Sequence, residues 1–162
     1  MEKVVAEGKS LEGLGGWLVL VGLGIIVAPL RIIGLLFPIY YEIFSNGSWE
    51  LLTTPGTDAY NSLWAPIIYG EIAINGALVV AWIFVGYLFF SKKKVFPKWF
   101  IGMLLFTLVF IVVDAFAIKL VLPNEPVFDP DTVKELGRTI IGSLIWVPYM
   151  LVSKRVKATF VK

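Results

Sequence analysis

Ser91-Lys92-Lys93-Lys94-Val95-Phe96-Pro97-Lys98 separates two long apolar runs, and its lysines decide how both are threaded. Positive residues close to the ends of membrane-length segments resist translocation, so this loop is expected on the cytoplasmic side. The basic residues at the chain's end, Lys154, Arg155, Lys157 and Lys162, are expected on the same side, and the regions between the remaining runs carry mostly acids. The pattern predicts an even number of spans with both termini cytoplasmic. That is an all-α, integral membrane four-transmembrane-helix bundle, multi-pass in the cytoplasmic (inner) membrane.

Composition agrees with this class. Of 162 residues, 58% are hydrophobic and only 16% charged, more apolar surface than a soluble domain of this size can hide. The net charge of +2 is accounted for by the basic flanks and gives no reason to expect a nucleic acid partner. The lipid bilayer is the partner the composition demands. The chain has neither cysteine nor histidine, which removes disulfides, thiol nucleophiles, the commonest general base and the usual metal ligands. No catalytic residue, metal site or cofactor is assigned, and the chain is read as a non-enzyme.

Working outward from the lysine loop, the single domain 1–162 divides into spans at about 14–37, 63–90, 97–122 and 134–152. Residues 1–13 are short, mixed in charge and expected to be disordered or interfacial. In the first span, Gly24 and Ala28 are spaced for close helix approach, and Pro29 sets a kink just before Arg31. Residues 38–62 read as an outer loop with a turn at Thr54-Pro55-Gly56. Along the second span, Ala73, Ala77 and Ala81 make a smooth face that suits a homodimer as well as packing within the monomer. Glu71, Asn75, Leu78 and Trp82 share another face. Pro97 suits the first turn of the third span, which carries Thr107 and Asp114. Asp129-Pro130-Asp131 reads as an N-cap followed by proline and a negative charge in the first turn of the fourth. A second kink is expected at Pro148.

Counting along the helices places Arg31, Glu71, Asp114 and Arg138 in the outer half of the bilayer. Two acids and two bases at one depth can neutralise one another, and each alone would be costly there. They are expected to form one interhelical network, with Asn75 as a further hydrogen-bond partner of Glu71. Because the set is charge-balanced and the inner half is apolar, it reads first as a structural lock within a non-enzymatic accessory or interaction protein. The alternative is a binding or transport site for a small solute, ion or lipid headgroup.

The segments Gly13-Leu14-Gly15-Gly16-Trp17-Leu18, Pro29-Leu30, Phe89-Phe90-Ser91-Lys92-Lys93 and Phe96-Pro97 follow one another in a familiar order. So does Ile145-Trp146-Val147-Pro148-Tyr149, followed by Ser153-Lys154-Arg155-Val156-Lys157-Ala158-Thr159-Phe160-Val161. Together they resemble an uncharacterised prokaryotic membrane family, the domain of unknown function numbered 2569. The resemblance implies four membrane helices and supplies no activity. It also draws attention to the tail. Nothing about membrane insertion requires Thr159-Phe160-Val161, so Lys154, Arg155, Lys157 and Phe160 are expected to dock, onto the bundle or onto a cytoplasmic protein partner.

Overall fold

The computed structural model describes residues 12–162, and all regular structure among them is helical. The expectation for the extreme N-terminus falls largely on residues 1–11, outside the described residues. The helices are α1 (Trp17–Ser45), α2 (Ser48–Thr53), α3 (Trp64–Phe90), α4 (Phe96–Val121), α5 (Pro130–Val152) and α6 (Lys154–Thr159). Three of them, α1, α3 and α4, are long and apolar enough to cross a membrane. Helix α5 is 23 residues long but carries Asp131, Lys134, Glu135 and Arg138 in its first turns.

The expected boundaries of α3 and α4 hold to within a residue, and Pro97 lies in the first turn of α4. Helix α1 does not end at Phe37. It continues through Pro38 to Ser45, so the first third of the expected outer loop is helical. A proline costs a helix one hydrogen bond and some bending, and in a long helix packed against neighbours it is tolerated. At about 1.5 Å per residue, the 29 residues of α1 extend about 43 Å, well beyond a hydrocarbon core of about 30 Å. The protruding end is covered by α2, whose Trp49 packs against Phe44 with ring centres 5.0 Å apart and edge-on against Tyr69 at 5.1 Å.

Helix α1 packs on α3, α3 on α4, and α4 on α5. The α1–α5 seam is bridged by side chains: Trp17 against Trp146 at one end, Arg31 with Glu135 at the other. The two ends of the bundle differ in kind. At the end carrying the lysine loop, Leu18, Val21, Ile25, Trp82, Val85, Phe89, Phe96, Phe100 and Met150 form a dry core. At the opposite end the helices leave a cavity lined by polar side chains.

The close approach of α1 and α3 occurs one glycine away from the expected place. A methyl group on Gly22 would lie 2.9 Å from the Phe89 ring, and one on Gly86 would meet Ile25 at 3.4 Å. Gly24 faces away from the bundle with open space around it. Spacing alone identifies small residues but not which of two adjacent faces points inward. On α3, Ala73 and Ala77 are exposed and Ala81 packs against the core.

The lysine loop closes α3 with its own main chain. The Lys92 N–H donates to Phe89 O (3.0 Å) and the Lys93 N–H to Leu88 O (2.9 Å), with Lys92 at a positive φ of 53°. This is the paired-hydrogen-bond helix ending in which glycine is usually found at the left-handed position. At the far end of α4, Lys119 Nζ donates to Pro123 O and Glu125 O and so closes the turn that follows the helix.

Asp129 accepts a hydrogen bond from the Thr132 N–H at 2.6 Å, and this bond holds its carboxyl below the usual carboxylate range. Replacement by alanine should destabilise α5 by about 1 kcal/mol at neutral pH. A depressed carboxylate contributes stability above its unfolded value and loses it as pH falls through the folded one. The gap between wild type and Asp129→Ala in a thermal melt should therefore close on acidification.

Candidate functional site: a one-ended polar vestibule

The end opposite the lysine loop holds a cavity of about 750 Å³. Each long helix contributes the half that lies beyond the dry core. From α1 come Arg31, Ile32 and Tyr40; from α3, Glu71, Asn75 and Leu78; from α4, Thr107, Phe110 and Asp114; from α5, Glu135 and Arg138. Leu78 is buried and forms part of the floor, with Trp82, Met103 and Phe100 in the core beneath. The alternating three- and four-residue steps of Glu71, Asn75, Leu78 and Trp82 carry one face of α3 from the vestibule down into the core. Antiparallel to it, α4 runs from Asp114 through Thr107 to Met103 and Phe100.

All five residues expected in the polar network therefore line one cavity, but their pairing is not the expected one. Arg31 makes a two-pronged ion pair with Glu135: Nη1 donates to Oε1 at 2.9 Å and Nη2 to Oε2. Arg138 donates to the same carboxylate at 3.4 Å, one helical turn along α5. Neither arginine is within ion-pair distance of Glu71 or Asp114. Both bases are engaged by Glu135, an acid that is not among the expected members of the network. The signal was present in the sequence: Glu135 is the acid three residues before Arg138, on the same face.

Glu71 and Asp114 form a second, separate group. Tyr40 donates its hydroxyl to Glu71 Oε2 at 3.3 Å, and Asp114 lines the same cavity from α4. Asn75 donates to the Glu71 main-chain carbonyl at 2.9 Å rather than to its carboxylate, which leaves the amide oxygen free to face the cavity. Tyr40 was not among the expected site residues, because Pro38 was read as the start of a loop. With α1 continuous to Ser45, Tyr40 lies on the same wall as Arg31, Ile32 and Leu36.

The tail lies at the other end of the molecule. Helix α6 is capped by Ser153, whose hydroxyl accepts from the Val156 N–H, and it returns the chain to the base of the bundle. Phe160 is buried, stacked on Phe96 at 4.4 Å and against Phe89 at 5.7 Å. The Thr159 hydroxyl exchanges hydrogen bonds with both the N–H and the carbonyl of Gly13, at 3.1 Å each. Main-chain bonds join Lys94 N–H to Lys162 O (2.6 Å) and Lys162 N–H to Lys92 O (3.3 Å). Arg155 lies over Gly15 and Gly16, while Lys154 and Lys157 point to solvent.

Among the described residues the regular structure is all helical, and three membrane-length apolar helices beside a polar cavity mark a polytopic membrane protein. It belongs to the family described as Protein of unknown function (DUF2569), which matches residues 11–161. No curated protein and no solved structure matches the chain.

Proposed function

We propose that the protein spans the cytoplasmic membrane four times, with both termini inside, and binds a small cationic solute in the vestibule from the outer side. The observation that carries the reading is the separation of the two polar groups. The arginines are engaged by Glu135, while Glu71 and Asp114 line the same cavity without an ion-pair partner among the described residues. A polar lock would pair these acids with the bases beside them. A pair of carboxylates flanked by the Tyr40 hydroxyl and the Asn75 amide has the oxygen donors to receive a cation or an ammonium group. The dry aromatic floor favours capture at a one-ended site over passage through an open pore.

The fourth span rests on α5 itself. Val133, Ile141, Leu144, Ile145, Leu151 and Val152 are all exposed along it, an apolar stripe that lipid would cover. Its early charges turn toward the vestibule, where Glu135 holds Arg31 and Arg138. The orientation rests on the lysine loop and basic tail meeting at one end of the bundle.

The natural absence of cysteine makes the test direct. Asn75→Cys should react with a membrane-impermeant thiol reagent in intact cells, whereas Val85→Cys, in the dry core, should not. Lys94→Cys should react only after the cells are opened. An inert Asn75→Cys under both conditions would return the protein to the accessory class, with the polar cluster as a structural lock.

A further inference from the structure

A second cavity, of about 400 Å³, lies on α4 beside the lysine loop and is lined by Lys98, Trp99, Gly102, Met103 and Phe106. The residues after Lys98 recur at the steps of one helical face, so the cavity is a groove running along that face. Trp99 forms one wall and is held there by the edge of Phe84 from α3, with ring centres 5.2 Å apart. Phe106 forms the far wall, stacked on Phe110. Between them Gly102 contributes no side chain, and a methyl group placed there would meet nothing within 4 Å. Met103, buried, is the floor.

The groove is therefore apolar for its length and cationic at one mouth. That mouth adjoins the loop in which Lys92 and Lys94 are pinned by Lys162, and none of these lysines has an ion-pair partner among the described residues. Lys98 and Trp99 lie in the first turn of a membrane-length helix, at the level where headgroups meet hydrocarbon. We propose that this groove is a specific site for an anionic phospholipid, with the headgroup phosphate on Lys98 and one acyl chain laid over Gly102 between Trp99 and Phe106. Charge complementarity selects the headgroup, and the missing side chain at residue 102 makes room for the chain. The site is independent of the vestibule and of the solute bound there.

The test uses the full-length protein, stripped of lipid in detergent and offered an equimolar mixture of phosphatidylglycerol and phosphatidylcholine, with retained lipid counted by native mass spectrometry. The wild type should hold phosphatidylglycerol in preference by about five-fold or more, the factor one lysine beside an anionic headgroup supplies. Lys98→Gln should abolish the preference. Gly102→Leu, which fills the groove and leaves every lysine in place, should reduce retention of phosphatidylglycerol to the level of phosphatidylcholine. Both positions are exposed, so the thermal midpoint of each variant should stay at or above that of wild type. Millimolar inorganic phosphate should not displace the lipid. Equal retention of the two lipids by wild type would overturn the proposal. So would undiminished preference in Gly102→Leu, which would assign the effect to the basic loop at large. Displacement by inorganic phosphate would identify a phosphate site and not a lipid site.

Discussion

Phe160→Ala should lower the stability of the protein in detergent by about 3–5 kcal/mol, the range for emptying a well-packed aromatic site. Phe160 comes from the aqueous tail and is buried on the Phe89–Phe96 pair, so its removal from water contributes in full. Side chains that merely exchange lipid for protein gain far less by burial. The loss should also release the main-chain pairing of Lys162 with the lysine loop and expose that end to protease. Limited proteolysis beside a thermal melt reads both effects. Faster cleavage within 153–162 without loss of midpoint would show that the tail is separable from the core.

Glu135→Gln should cost about 2–3 kcal/mol, the second largest effect expected of a single substitution. It removes the counter-charge of two arginines at once and opens the α1–α5 seam at its vestibule end. A fully buried pair broken on one side costs more, about 3–5 kcal/mol. Here the side chains of Arg31 and Glu135 keep 36% and 33% of their exposure and Arg138 keeps 52%, so solvent screens part of the loss. The midpoint of Glu135→Gln should fall, and high salt should weaken the wild type toward it. A midpoint equal to wild type at low salt would remove the seam-closing role of the ion pair.

Much of the fold was legible in the sequence. The spans of α3 and α4 follow from length and composition, and Asp129-Pro130 marks the start of α5 through chemistry that needs no tertiary context. The cavity lining was legible in part: five of its polar residues were expected, while Tyr40, Glu135 and the pairing were not. Depth counting brought Arg31, Glu71, Asn75, Asp114 and Arg138 to one cavity, since rise per residue is fixed. It says nothing of rotation about each helix, and rotation decides which acid an arginine meets. Pro38 misled in a different way: proline statistics from water do not carry over to a membrane helix supported by its neighbours. The same blindness to rotation explains the shift of the close helix contact from Gly24 to Gly22.

The most direct test of the vestibule compares the thermal midpoints of Glu71→Gln and Asp114→Asn with that of Glu135→Gln in one detergent. If Glu71 and Asp114 are held for a ligand, no arginine depends on them, and removing one of two like charges should leave the midpoint unchanged or raised. Glu135→Gln should fall beside them. A drop for Glu71→Gln or Asp114→Asn as large as that for Glu135→Gln would contradict this division, making the carboxylate pair part of the structural lock and the vestibule no binding site.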